Sequence, residues 1–167
     1  AAPITYEVDG EQYVTVMAGW GGAYALVAGY FVKDESRPPL SRVLTFKLGA
    51  TMELPELDWQ PLDHPEPPEE TADAETIAHG RKVYHVFGYV CQGASAGGGW
   101  VVMDLPYSAT RQDATQWRDI TLNGAMADAG MAPFGEYSNE DDAEAIRAYV
   151  IRRAHELATV TTEATAE

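Results

Sequence analysis

A stretch rich in proline and acidic residues, Thr51–Thr71, divides this chain into two parts with different residue patterns. Its prolines are Pro55, Pro61, Pro65, Pro67 and Pro68. Proline restricts the backbone and neighbouring carboxylates repel each other, so the stretch is predicted to be an extended, semi-rigid linker. Trp59 and Leu62 are expected to anchor it on one of the parts that it joins. The chain is therefore predicted to be multidomain, with β structure before the linker and helices after it.

The first fifty residues are predicted to form β-strands. The runs Ile4–Val8 and Gln12–Ala18 flank the dipeptide Asp9-Gly10. Asp-Gly between two such runs favours a hairpin, because the tight turn needs positive φ at both central residues. Apolar and polar residues also alternate in Arg42–Leu48, which predicts a third strand. Three strands with nothing to cover their apolar face are expected to need a partner sheet.

Three segments after the linker are predicted to be helical. Asp73–Phe87 has Thr71 or Asp73 as its capping residue, and Asp113–Asn123 is expected to end at a left-handed Gly124. Ser138–Leu157 has acidic residues near its start and Ser138 in the capping position. Residues 159–167 are small and polar, and are predicted to be a frayed tail.

The stretch Val83–Gly93 contains a candidate attachment site for a cofactor, centred on Cys91. Covalent attachment of a c-type haem uses the pattern C-x-x-C-H, with two thiols for the porphyrin and a histidine for the iron. In the frame Gly88–Gln92 a glycine replaces the first thiol and an amide replaces the histidine. Taken alone, Cys91 would be interpreted as a buried structural thiol.

The residues around Cys91 follow a characteristic order along the chain. They are Gly80 and Tyr84 before it, then a glycine-rich loop, Asp104-Leu105, the segment Gly130–Phe134 and Tyr149 on the last helix. This order resembles the cytochrome c domain at the C-terminus of the quinohaemoprotein alcohol dehydrogenases, which use pyrroloquinoline quinone. In that family the second iron ligand is the methionine of a Gly-Met-x-x-Phe stretch, which Met131 matches. Without the resemblance Met131 would be interpreted as a core filler.

The N-terminal strands resemble the last propeller blade of the same family. Thr5–Val14 and Gly19–Gly22 match its strand pair and the glycine-rich segment that follows. The resemblance implies that Trp20 and Gly21 lie near the quinone; the alternative is a turn with a tryptophan packed beneath it. It also implies that the quinone, its calcium ion and the catalytic residues belong to the remaining propeller polypeptide, so that no catalytic residue is assigned to this chain.

The resemblance implies an α+β multidomain fragment with four parts. Residues 1–50 are expected to be the end of a β-propeller that is incomplete alone, and residues 51–72 the linker. Residues 73–158 are expected to be an all-α cytochrome c-like domain, and residues 159–167 the polar tail. The family also implies a periplasmic location, and the absence of an initial methionine suggests a processed or truncated chain.

Two histidines on the first predicted helix, His79 and His85, are interpreted as solvent-facing or hydrogen-bonded residues. Neither has a second histidine or carboxylate at an evident metal-ligand spacing. His85 lies shortly before Cys91, so it is also a candidate substitute for the missing iron ligand, together with Met131, if haem is bound. The glycines between Gly93 and Gly99 do not have phosphate-loop spacing and are predicted to wrap a cofactor edge or an emptied pocket.

The charge of the chain limits its partners. A net charge of −15 opposes binding to nucleic acid and to anionic lipid surfaces. The acidity suits solubility, with docking of a basic redox acceptor protein as the alternative. The sequence has no run of the length that a membrane-spanning helix needs, and its one cysteine permits no internal disulfide.

These patterns support three functional hypotheses. In the first, the chain is the C-terminal portion of a quinone-dependent alcohol dehydrogenase whose cytochrome c-like domain no longer binds haem conventionally and acts as a cap or docking module. In the second, a haem held by Cys91 and Met131 passes electrons from the quinone to an external acceptor. In the third, the chain is a non-enzymatic interaction module whose strands join the sheet of a partner.

Overall fold

The computed structural model describes residues 1–19, 40–56, 65–98 and 102–164, and it has the α+β composition that the sequence predicts. The strands are β1 (Ile4–Val8), β2 (Glu11–Ala18) and β3 (Arg42–Lys47), and the helices are α1 (Ala74–Phe87), α2 (Tyr89–Gln92), α3 (Ala114–Thr121) and α4 (Glu140–Ala164). Short 3-10 turns occupy Leu105–Tyr107, Ala109–Gln112 and Ala127–Ala129. The predictions for Trp20, Gly21, Trp59 and Leu62 fall outside the described residues.

The predicted hairpin is present. Asp9 and Gly10 both have positive φ, 53° and 78°, as the tight turn requires. Strands β1 and β2 pair in antiparallel register with Thr5 opposite Val14, and β3 pairs antiparallel with the other edge of β2. The second strand begins at Glu11, one residue earlier than predicted.

The sheet has no buried residue. On one face the rings of Tyr6 and Tyr13 stack with centroids 5.5 Å apart, and the Thr15 and Thr45 hydroxyl oxygens lie 2.9 Å apart. The apolar side chains on the other face remain open, and Phe46 is 55% exposed. No strand residue among those described is classed as buried, so these strands lack a core of their own.

A side-chain cap begins each of the three longer helices, and the sequence predicted the one at Asp73. The Asp73 carboxylate accepts a hydrogen bond from the Thr76 amide at 2.8 Å, and Asp113 caps α3 in the same way. The capping prediction for Ser138 was wrong, because Asn139 Oδ1 accepts the Asp142 amide at 2.9 Å and therefore caps α4. Ser138 instead donates its hydroxyl proton to the Asp142 carboxylate at 3.4 Å.

The predicted ends of two helices also change. Helix α4 continues to Ala164, so the prediction of a frayed tail from residue 159 was wrong for most of that segment. Helix α3 ends at Thr121, and Gly124, with φ of 79°, lies three residues beyond it. The left-handed glycine is therefore present, but it is separated from the helix by Leu122 and Asn123.

Helices α1 and α4 cross at Gly80. A Cβ atom at this position would lie 1.8 Å from the carbonyl oxygen of Ala145, which is far below any van der Waals contact. Glycine is therefore required for the two backbones to approach so closely. The atoms nearest to that Cβ position are backbone atoms of Ala145 and Ile146. The Tyr149 ring lies 5.4 Å from that of Tyr84.

The described end of the linker, residues 65–70, is held against the helices. Arg111 and Gln112 donate side-chain hydrogen bonds to the carbonyl oxygens of Pro65 and Glu66. From α4, Arg152 pairs with the Glu70 carboxylate, and His155 Nε2 lies 2.8 Å from the carbonyl oxygen of Pro68. This part of the linker is therefore docked on the helical region.

Candidate functional site

A cavity of about 440 Å³ lies among the four helices and the loop that follows α3. Its described lining residues are uncharged and mostly apolar: Tyr84, Phe87, Gly88, Cys91, Gln92, Val102, Met103, Leu105, Thr110, Trp117, Ile120, Thr121, Leu122, Met126, Ala129, Gly130, Met131, Ala132, Phe134, Ser138, Ala143 and Ile146. The volume is in the range of sites for small molecules and cofactors. This cavity is therefore the candidate functional site.

The cavity brings together three residues that the sequence singles out. Cys91 and Gln92 on α2 line it, as does Met131 from the loop about forty residues later in the chain. Cys91 is exposed, so the interpretation of a buried structural thiol was wrong. Gln92 is only 8% exposed, and Met131 is half-buried. The predicted attachment frame and the predicted methionine therefore line the same cavity.

The first position of the attachment frame, Gly88, has no room for a cysteine side chain. A Cβ atom built on Gly88 would lie 2.5 Å from Cε2 of Tyr84 and 2.7 Å from its Cδ2. The Tyr84 ring is 1% exposed, and its hydroxyl donates a hydrogen bond to the carbonyl oxygen of Gly93. Burial also raises the pKa of Tyr84, which keeps the hydroxyl protonated as a donor. The ring is therefore fixed where the missing side chain would begin.

The described residues do not fit a conventionally attached c-type haem. Gly88 offers no thiol, and the Gln92 amide stands where the iron-binding imidazole would be. No charged side chain is found among the lining residues that the structure describes, so nothing in that part of the wall offers a cation to the carboxylates of a porphyrin. The apolar walls suit a flat hydrophobic molecule, but the groups that would fasten a haem are missing.

The structure does not bring His85 to the cavity. Its Nδ1 lies 2.6 Å from the carbonyl oxygen of Arg81, and its ring stacks on Tyr89 with centroids 5.9 Å apart. His85 is absent from the described cavity lining. His79 also forms a local contact, with Nε2 2.7 Å from the Asp142 carboxylate. Both histidines are hydrogen-bonded, as the simpler interpretation predicted.

The glycine-rich loop has a different place from the one predicted. In its described part, Gly93–Gly98, no residue lines the cavity. Ala96 is fully buried in the core, and its carbonyl oxygen accepts the Leu105 amide at 3.0 Å. The loop therefore packs into the helical core, while the residues after it, Val102 and Met103, reach the cavity.

Arg111 is a structural residue that the sequence analysis did not identify. It is fully buried, and its guanidinium donates to the carbonyl oxygens of Ser108, at 2.5 Å, and Pro65. Desolvation lowers the pKa of Arg111 from its ordinary value. A lone arginine between a threonine and a glutamine has no recognisable sequence pattern. Its side chain bridges carbonyl oxygens that lie 46 and 3 residues earlier in the chain.

Across residues 1–19, 40–56, 65–98 and 102–164, no cluster of three or more histidine, cysteine or acidic side chains is arranged to hold a metal ion. Within the same ranges, no helix has both the length and the apolar composition to cross a membrane.

Comparison with known proteins finds similarity to part of two alcohol dehydrogenases. The chain is 40% identical over 157 residues to quinohemoprotein alcohol dehydrogenase ADH-IIG of Pseudomonas putida, which covers 94% of this chain and 21% of that protein. It is 35% identical over 159 residues to quinohemoprotein alcohol dehydrogenase ADH IIB of the same organism, covering 93% and 23%. The solved structure of ADHIIG superposes with a TM-score of 0.77 at 36% identity, over 94% of this chain and 22% of that one. No protein-family model matches the chain.

The likeness extends over both the strands and the helices, because it covers nearly the whole chain. The chain corresponds to the C-terminal region of a quinohaemoprotein alcohol dehydrogenase. It spans about a fifth of the length of the curated relatives that it matches.

Proposed function

We propose that this chain serves a pyrroloquinoline-quinone-dependent alcohol dehydrogenase through a cytochrome c-like domain, residues 73–158, that no longer attaches haem in the usual way. In this proposal the domain caps the active-site face of the enzyme or serves as a docking module for a redox acceptor. The names of the relatives support the reaction class. The geometry around Gly88 supports the loss of conventional haem attachment.

The position of the Tyr84 ring is the observation that carries the haem-free part of the proposal. Two thioether bonds need a thiol at residue 88, and the ring occupies the space in which that side chain would start. The ring is buried and hydrogen-bonded to Gly93, so moving it would cost both packing and a buried hydrogen bond. The position of the ring therefore favours glycine at residue 88.

Alcohol oxidation is assigned to the remainder of the enzyme. When bound, pyrroloquinoline quinone supplies the hydride-accepting carbonyl, which a calcium ion polarises. This chain contributes no catalytic residue in the proposal, and Trp20 and Gly21 are assigned to the neighbourhood of the quinone. The family also supports a periplasmic location for the enzyme.

The strands give this chain its contact with the rest of the enzyme. Residues 1–50 are proposed to complete a propeller whose other blades come from the remaining polypeptide. The open faces of the sheet support this role, since Met17, Val43 and Phe46 are each more than half exposed. Covering these side chains would supply the hydrophobic stabilisation that the three strands lack alone.

Absorbance and intact mass of the purified protein test the proposal. The chain is produced in a host that matures c-type cytochromes. The haem-free proposal predicts that it has no Soret band and the mass of the unmodified 18.2 kDa chain. As a positive control, a variant with Gly88→Cys, Gln92→His and Tyr84→Leu restores the C-x-x-C-H pattern and removes the ring atoms that lie beside residue 88. Haem on that variant shows that the host can load this fold.

A second candidate function is electron transfer through a haem held by Cys91 and Met131. The convergence of these two residues on one cavity favours it. It predicts a Soret band that survives extraction with acid and acetone, together with a mass increased by one haem. That result in the wild-type chain would contradict the haem-free proposal, whereas haem in the control variant alone would support it.

A further inference from the structure

The Gln92 side chain places an amide in the wall of the cavity. Gln92 is more than nine-tenths buried and lines the cavity. Its backbone N–H donates to the carbonyl oxygen of Gly88 at 2.9 Å, but its side-chain amide makes no hydrogen bond within the described part of the chain. Its amide atoms are not among the fully buried unpartnered atoms of the described residues, so the amide is accessible to a bound water or ligand.

The rest of the described wall restricts what that ligand can be. Apolar side chains from α1, α3 and α4 line the chamber, including Phe87, Trp117 and Ile146. None of the described lining residues carries a charge, and the chain as a whole has a net charge of −15. A charged molecule would lose its hydration there without gaining an ion pair, and an anion would also be repelled by the chain.

Cys91 is an accessible residue of the wall next to Gln92. It lines the chamber and is exposed to solvent, and Gln92 is the next residue of the same helix. A molecule bound against Gln92 would therefore lie close to the Cys91 thiol.

We propose that the cavity binds a neutral, largely apolar molecule bearing one carbonyl or hydroxyl oxygen, with that oxygen hydrogen-bonded to the Gln92 amide and the apolar body among Trp117, Met131 and Phe134. The site rests on the proposed function, because a haem would occupy the same space. The uncharged and mostly apolar wall accordingly favours small hydrophobic compounds that are uncharged and bear an oxygen atom.

Two naphthalenes of nearly equal shape test the site. 2-Acetylnaphthalene carries a ketone oxygen and 2-ethylnaphthalene does not, and both are added to the full 167-residue chain after its spectrum has been recorded. Calorimetry is expected to give a Kd on the order of 10–100 μM for the ketone. The hydrocarbon should bind roughly 2- to 10-fold more weakly. Naphthalene-2-carboxylate, which is anionic, should not bind.

The single cysteine locates the binding site. Alkylation of Cys91 by iodoacetamide, followed by mass spectrometry, should slow several-fold at saturating ketone, because the ligand would cover a thiol that lines the cavity. The variant Gln92→Leu should retain binding of both compounds but remove the preference for the ketone. Met131→Trp and Met126→Trp each add bulk to a different part of the wall and should abolish protection of Cys91.

The outcomes separate this site from the proposed function. A Soret band would contradict the haem-free proposal before any ligand is added. In a haem-free chain, binding without protection of Cys91 would place the ligand elsewhere and overturn the site. Equal affinity for the ketone and the hydrocarbon, or an unchanged preference in Gln92→Leu, would overturn the role of Gln92.

Discussion

The strands and the helices of this chain are stabilised in different ways. In the helical region Tyr84, Trp117 and Val150 belong to a cluster of buried residues, and each is at most 3% exposed. In the sheet, backbone pairing is complete between neighbouring strands, yet no described strand residue is buried. Hydrogen bonding alone adds little net stability. The helices are therefore stabilised by their own buried core, whereas the sheet depends on a partner surface.

Gly80→Ala should produce the largest effect, and it sharpens the comparison. The new methyl group would lie 1.8 Å from the carbonyl oxygen of Ala145, so α1 and α4 would have to separate. We expect a loss of about 3 kcal/mol in the free energy of unfolding, measured by urea denaturation followed by Trp fluorescence. Phe46→Ala, in the open sheet, is the matched control and should change it by less than about 0.5 kcal/mol. Equal effects of the two changes would break the comparison.

Arg111→Lys tests whether the docked linker belongs to the helical region. A lysine keeps the charge but has no planar fork to bridge the carbonyl oxygens of Ser108 and Pro65. We expect a loss of about 2 kcal/mol in the same unfolding measurement, because hydrogen bonds of a buried cation are lost. Arg118→Lys is the control, since its ion pair with Glu140 is exposed to solvent. An unchanged midpoint for Arg111→Lys would mean that the bridge contributes nothing.

Tyr84→Phe isolates one hydrogen bond in the core of the helical region. It removes the donor to the buried carbonyl oxygen of Gly93 and leaves the ring in place. We expect a loss of about 1 kcal/mol, seen as a lower midpoint of thermal unfolding by circular dichroism. Tyr137→Phe is the control, because Tyr137 is 72% exposed. If the two variants melt alike, the bond does not stabilise the ring position on which the haem-free proposal rests.

Glu70→Gln should give the smallest effect, and it depends on pH. The hydrogen bond from Arg152, with the positive charge of the same group, lowers the pKa of Glu70 from its ordinary value. The stabilisation is therefore present above the unfolded carboxyl pKa of about 4.3, and it is lost as the pH falls through the lower folded value. At pH 7 we expect a difference of a few tenths of a kcal/mol, given the partial exposure of both side chains. Below that range the variant and the wild type should unfold alike, and Glu136→Gln should show no difference at either pH.

Much of the local structure could be predicted because local patterns cause it. The Asp9-Gly10 turn follows from the backbone freedom of those residues, and Asp73 caps α1 through an amide three residues away. The Ser138 cap failed because Asn139 offers an equally suitable oxygen one residue later, and the pattern does not distinguish the two. The end of α4 failed because a polar composition does not by itself end a helix.

The candidate site was predictable in part. The order of Cys91, Gln92 and Met131 along the chain identified three residues that the fold then places around one cavity. Sequence reasoning did not find that His85 turns to the carbonyl of Arg81, because side-chain direction on a helix depends on what packs against each face. The domain boundaries and the roles of Trp20 and Gly21 stay predictions.

The amino-acid pattern alone dictated the hairpin, the helices, the acidic character and the loss of the histidine and first thiol from the attachment frame. Those properties depend on neighbouring residues or on residue identity. Tertiary packing decided that Tyr84 fills the space beside Gly88, that Arg111 anchors the linker and that the Gln92 amide faces an uncharged chamber. The Arg111 bridge spans 46 residues and the cavity is lined by helices from α1 to α4, so these two features depend on segments far apart in the sequence. The position of the Tyr84 ring depends on its contact with Tyr149 of α4 as well as on its spacing from Gly88. Only the close packing of the segments sets how much room each side chain has.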